Sequence, residues 1–140
     1  MQTRQAISFL MKLITDRVST LFSLRTEMPL TAAQSRVVMY LEACGGGPVS
    51  QHDLEQYLNV SHTTAKGLLH RLEEKGFVRT AFDSADRRVK NAYLTDKARQ
   101  CRVELAEHIH ALTDTMMQGI SRQEEEQLFE LLRRVYRNIK

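Results

Sequence analysis

Between Ser61 and Lys90 the chain carries seven basic side chains, Lys66, Arg71, Lys75, Arg79, Arg87, Arg88 and Lys90, against four acids, Glu73, Glu74, Asp83 and Asp86. The segment's net charge therefore equals the +3 of all 140 residues, and the rest of the chain is electrically balanced. Guanidinium and ammonium groups in such a cluster neutralise phosphates, while hydroxyl, imidazole and amide groups between them hydrogen-bond to base edges. Arg87 and Arg88 stand side by side in a polar stretch, and His62, Thr63, Lys66, His70 and Glu73 recur upstream at helical spacing. A polar helix face beside a loop with paired arginines is an electrostatic footprint for duplex DNA.

Other chemistries find no support, and the chain is not expected to be an enzyme. It holds no His-Glu-x-x-His, no Gly-x-Ser-x-Gly and no carboxylate pair at catalytic spacing. Gly45-Gly46-Gly47-Pro48 lacks the Gly-Lys-Ser/Thr that a phosphate-cradling loop requires. His108 and His110, two apart on a helix, point about 200° from each other and cannot share a metal. His52, His62 and His70 fall on the side assigned to DNA, so neither a metal nor a cofactor is expected. Cys44 and Cys101 are too far apart in sequence for a disulfide framework and read as buried structural thiols. A thiol sensor would need one of them accessible and of low pKa.

The elements that hold these groups are legible from periodicity. The composition, 42% hydrophobic and 26% charged with two prolines and no tryptophan, suits one mostly helical, soluble domain. No apolar run approaches the roughly 20 residues of a membrane span. With no signal-peptide core at the start, a cytoplasmic address and no membrane partner are expected. A first helix is predicted from about Arg4 to Leu24, and the segment Thr26 to Leu30, with Pro29, breaks it. Thr31 and Gln34 form a capping box for a second helix through Leu41. Ser50 and Asp53 form another, stapled by Val49 and Leu54, for a short helix burying Leu54, Tyr57 and Leu58. After Asn59-Val60, Ser61 caps a helix that buries Ala65, Leu68, Leu69 and Leu72 and turns its polar face outward. Two short helices joined by a tight turn form a helix-turn-helix.

Phe77–Phe82 and Val89–Leu94 read as two strands around a polar loop. Thr95 caps a long helix that Gly119 ends, and Ser121 with Glu124 boxes a last helix lined by Leu128, Leu131, Leu132, Val135 and Ile139. The fold class is mainly α (α+β), a winged helix-turn-helix with flanking dimerisation helices. Residues 1–140 form one domain, with 31–94 as the DNA-binding lobe and 1–25 and 95–140 as the dimerisation part. So small a core cannot bury both terminal apolar stripes, which points to pairing with a second copy.

Taken together, Leu68-Leu69-His70-Arg71-Leu72-Glu73-Glu74-Lys75-Gly76-Phe77-Val78, Asp83-Ser84-Ala85-Asp86-Arg87-Arg88 and Leu94-Thr95-Asp96-Lys97 resemble the MarR family of bacterial transcriptional regulators. The resemblance covers nearly the whole chain. It implies a homodimer that binds a pseudo-palindromic operator on double-stranded DNA, in many members as a repressor released by a small aromatic or phenolic effector. Some members respond instead to cysteine oxidation or zinc. Two departures stand out. His70 replaces an acid that, in many members, pairs with the arginine matching Arg88, and Asp86 could substitute for that acid locally. Ala98 stands where a glycine is usual and is the better helix former.

Distinct roles follow for the polar residues. His62, Thr63 and Lys66 face the major groove, and Gly67 permits close backbone approach. Ser61 and Thr64 support the helix start, with Thr64 a further phosphate candidate. Arg71 either meets the DNA backbone or pairs with Glu74 or Glu55. His70 lies on the same face. Arg87 is assigned to the minor groove and Arg88 to bracing the wing against Asp86, a pair of roles that could also be exchanged. Ser50, Gln51, Ser84 and Lys90 complete the set as phosphate contacts. Arg17, Phe22, Met39 and Tyr40 are candidates for an effector pocket, although core packing and a solvated charge explain them too. A winged helix that binds a protein instead of DNA is the alternative; salt-dependent retention on DNA separates the two.

Overall fold

In the computed structural model, which describes residues 2–25 and 29–140, six helices surround a small sheet. They are α1 (Thr3–Arg25), α2 (Ala32–Ala43), α3 (Gln51–Leu58), α4 (His62–Glu74), α5 (Asp96–Met116) and α6 (Arg122–Ile139). Strands β1 (Val49–Ser50), β2 (Val78–Phe82) and β3 (Lys90–Leu94) form an antiparallel sheet in the order β1-β3-β2. Residues 26–28 of the expected break after the first helix lie outside the described residues.

The helix starts follow their capping chemistry. Thr31 and Ser121 each form a complete two-way capping box, with Gln34 and Glu124 respectively. Ser50 accepts from the Asp53 amide at 3.0 Å, and Ser61 from the Thr64 amide at 3.1 Å. At Ser50 only that half of the expected box forms, since Asp53 is one methylene shorter than the Glu or Gln the return bond favours. Asn59 ends α3 in the left-handed region at φ 52°, which its short polar side chain tolerates, and turns the chain into Ser61.

The end of α4 sets the wing in place. Gly76 takes φ +80°, and its amide donates to the Glu73 carbonyl while Phe77 donates to Leu72. This is the pattern of a Schellman stop, sealed by the buried Phe77 and Leu72 side chains. The wing hairpin follows directly, pairing Val78 with Leu94 through Phe82 with Lys90. Thr95 then donates to the Gly76 carbonyl, and the Lys97 ammonium donates to the Lys75 carbonyl. Helix stop, wing and the start of α5 are thereby tied into one unit.

A single core runs through α1 to α5 and the sheet, from Phe22 through Val37, Leu41, Leu54, Leu72 and Val78 to Leu105 and Leu112. Helix α6 buries none of its side chains. Phe129, Leu131, Leu132 and Ile139 are exposed there, as are Phe9, Leu10, Leu13 and Ile14 on α1.

Several readings need correction. Tyr57 is exposed instead of buried, and its ring stacks on Tyr40 with centroids 4.0 Å apart. Leu58 and Leu68 are half-buried. Strand β1 was unforeseen, because two residues between a Gly-Pro turn and a helix cap carry no readable period. Cys44 is exposed at the C-cap of α2, while Cys101 is half-buried beside the core. A helix C-cap lies at the surface, which is why an apolar-looking thiol there is not enclosed. Among the described residues no helix is long and apolar enough to cross a membrane.

Candidate nucleic-acid interface

Helix α4 buries Ala65, Leu69 and Leu72 and exposes His62, Thr63, Thr64, Lys66, His70 and Arg71. The apolar set packs on α3, β2 and α2, so the polar face is directed away from the core. Gly67 sits mid-helix, and a Cβ built there would meet nothing within 4 Å. Packing therefore does not require glycine at this position, and the space above its backbone is open to a ligand. Ser61 and Thr64 work at the helix start, where the Ser61 hydroxyl donates to Thr64 Oγ1 at 3.0 Å.

Glu55 of α3 gathers polar groups at the entrance to α4. Its Oε1 accepts from His62 Nδ1 at 2.7 Å and from the Gln51 amide at 3.3 Å, and His52 Nδ1 lies 3.7 Å from Oε2. Desolvation would raise the Glu55 carboxyl, but the hydrogen bonds from His62 and Gln51 outweigh it and hold the group below the usual carboxylate range. Gln51 consequently differs from expectation. It is buried, with its amide turned to Glu55 and His62, and does not reach outward to a phosphate.

At the wing, Asp83 accepts from the amides of Ala85 and Asp86 and from the Asn91 side chain, fixing the tip from within. The Arg88 guanidinium closes on Asp86 by two bonds, Nε to Oδ1 at 3.1 Å and Nη2 to Oδ2 at 3.2 Å. That bond, together with the Arg88 amide, lowers the Asp86 carboxyl below its ordinary value. Ser84 and Arg87 are exposed on the tip, and Lys90 is half-buried at the base of β3. The side chain of Glu73, on α4, accepts from the Thr80 hydroxyl at 3.1 Å and so joins the helix to β2. Among the described residues Lys66, Arg71, Arg87 and Lys90 make no ion pair. Four cations thus remain available on the helix face and the wing.

The comparisons agree with this geometry. Residues 28–89, which span the helix-turn-helix and most of the wing, match the model of the MarR family. Over this stretch the chain is similar to MarR-family proteins. It is similar to the uncharacterized HTH-type transcriptional regulator YwaE of Bacillus subtilis, 29% identical over 93 residues, or 66% of this chain. The match spans only 54% of that regulator and 61% of a second curated relative. Among solved structures, the PcaV transcriptional regulator from Streptomyces coelicolor, in complex with its natural ligand, superposes with a TM-score of 0.89. It is 19% identical, and the match covers 100% of this chain and 98% of that one. MepR of S. aureus, in complex with DNA, gives a TM-score of 0.85 at 24% identity, covering 94% and 96%.

Against the family pattern, His70 pairs with Glu74 on its own helix at 3.0 Å. Arg88 therefore takes its acid from the wing. Arg71 pairs with neither Glu74 nor Glu55, both of which have histidine partners.

A cavity of about 170 Å³ lies where α1, α2 and α5 meet. Phe22 and Met39 line it as expected, with Val18, Ile109 and Leu112. Arg17 and Tyr40 do not. Arg17 is exposed on α1, and Tyr40 turns to Tyr57. Ser35 and Arg36 line the cavity instead. Sequence reasoning missed them because it took α2 for its apolar positions alone. Placing Phe22 and Met39 on a common wall would have pointed to Arg36, three residues before Met39.

Proposed function

We propose that the chain is a sequence-specific regulator that binds a pseudo-palindromic operator on duplex DNA as a homodimer, acting in the cytoplasm as a repressor. The observation that carries this reading is the division of labour at the wing: Asp86 restrains Arg88, and Arg87 stays exposed beside a recognition helix whose Lys66 and Arg71 make no ion pair among the described residues. Thr63 and Lys66 meet base edges in the major groove, and Arg87 enters the adjoining minor groove, where a narrow A·T-rich stretch concentrates negative potential. Residues 31–94 act as the reading lobe. Residues 1–25 and 95–140 join two copies through the apolar faces that α1 and α6 leave exposed. The DNA complex of MepR supports this reading through the shared fold.

The α1–α2–α5 cavity is the effector site in this account. Its walls are apolar, and Arg36 lines it with a guanidinium suited to a carboxylate. A volume near 170 Å³ suits a single-ring aromatic acid or phenol more than a larger molecule. The complex of PcaV with its natural ligand supports a ligand-responsive regulator. The test is selection of binding sites from random or genomic DNA, followed by competition with small aromatic acids. Recovery of a two-fold symmetric motif is expected, and recovery of no preferred sequence contradicts the proposal.

A further inference from the structure

His62 opens the recognition helix, and its side chain is 74% exposed, yet one edge of its ring is fixed from behind. Glu55 Oε1 lies 2.7 Å from Nδ1, and the Glu55 side chain is only 14% exposed. An ionised carboxylate can only accept, so Nδ1 carries the proton of that bond. The Gln51 amide, 3.0 Å from Nδ1 and 3.3 Å from Glu55 Oε1, then donates to the same carboxylate. It also lies 3.5 Å from Nε2, at the limit of a hydrogen bond. In the neutral ring Nε2 is consequently a lone-pair acceptor, because one imidazole nitrogen donates while the other accepts.

Resting on the DNA-reading role proposed above, we propose that Glu55 sets which base His62 reads, by holding Nδ1–H and presenting Nε2 to the major groove as an acceptor. An acceptor there selects a base with an exocyclic amine, cytosine through N4 or adenine through N6. The other tautomer, with its proton on Nε2, would present a donor and select guanine, through N7 or O6. The groups facing His62 are Glu55, Gln51 and His52 from α3, with Lys66 one turn along its own helix. The rank order of bases at one position, not overall affinity, is the property that belongs to Glu55 and His62.

The experiment is competition binding over every single-base variant of the selected operator. It compares the full chain with Glu55→Ala, Glu55→Gln and His62→Gln. The full chain should favour cytosine or adenine over guanine by roughly three- to tenfold at one position, repeated in both half-sites. Glu55→Ala should weaken that preference, because both tautomers become available. Glu55→Gln, whose amide oxygen still accepts from Nδ1, should keep it, which a general loss of packing or charge would not explain. His62→Gln, whose amide both donates and accepts, should weaken it at the same position. A full chain that favours neither cytosine nor adenine at any position overturns the proposal, as does an unaltered preference in His62→Gln or a lost preference in Glu55→Gln. If Glu55→Ala is unfolded by circular dichroism, the other two variants decide. A chain that selects no sequence at all sinks the DNA-reading role itself, a separate result.

Discussion

Arg88 reaches back to Asp86 with two guanidinium nitrogens, at 3.1 and 3.2 Å, across a single intervening residue. A planar fork on a carboxylate is the geometry in which an exposed pair is best defined. With Arg88 held there, Arg87 beside it makes no ion pair among the described residues and offers its charge to an external partner. Arg87→Ala should therefore weaken operator binding, most at sites with A·T-rich flanks, and flatten the salt dependence by about 0.9 in log–log slope. Binding titrations at several salt concentrations check this. Unchanged affinity and slope would show that the wing makes no phosphate or groove contact through Arg87.

The same pair has a pH signature. The folded Asp86 carboxyl lies below its ordinary value, so its stabilising effect is complete above the unfolded value of about 3.9 and is lost as pH falls through the lower folded value. The wing should therefore stay ordered on mild acidification and loosen only in strong acid. NMR titration of the Asp86 carboxyl and the Arg88 Nε–H should show them moving together. Separate titrations would break the link.

Gly67 separates stability from function. A Cβ built there meets nothing within 4 Å among the described residues beyond its chain neighbours and its own helix backbone, so Gly67→Ala should stabilise the helix by up to about 1 kcal/mol. The added methyl should nevertheless reduce operator affinity, because it occupies the space through which DNA approaches the backbone. Thermal unfolding and binding measured on the same sample give the two signs; a gain in both would show that nothing approaches Gly67 closely.

Oligomeric state is also open to measurement. Helix α6 exposes Phe129, Leu131, Leu132 and Ile139, and α1 exposes Phe9, Leu10, Leu13 and Ile14. Burying such faces is worth roughly 25 cal/mol per Å² of apolar area, enough to drive pairing. Sedimentation equilibrium at micromolar concentration should give twice the 16.2 kDa chain mass. A single-chain mass would rule out the homodimer.

Much of this was legible in the sequence wherever a local rule acts alone. Ser61, Thr95 and Ser121 cap helices because a hydroxyl answers a free amide within three residues, and the Ala65–Leu69–Leu72 spacing declares which face of α4 is outward. The Asp86–Arg88 brace was also readable, as it spans only two residues. What escaped depends on pairings distant in sequence. Nothing local says that Glu55 meets His62 seven residues later, that Glu73 holds Thr80, or that Tyr57 leaves the core to stack on Tyr40. The cavity's Arg36 was missed for the same reason, since its walls come from three helices.

The central claim is that the outward face of α4 reads base edges. Thr63 and Lys66 share that face, opposite Ala65 and Leu69, and Lys66 makes no ion pair among the described residues. Lys66 can donate to guanine O6 and N7, so Lys66→Ala should cost on the order of 1–3 kcal/mol on the preferred operator and less on non-specific DNA. The direct measurement is competition binding over single-base operator variants for the unaltered chain and Lys66→Ala. The account predicts that discrimination collapses at one position, repeated symmetrically in both half-sites. If both proteins rank every variant identically, Lys66 touches only phosphate, and the base-reading role of this helix face is contradicted.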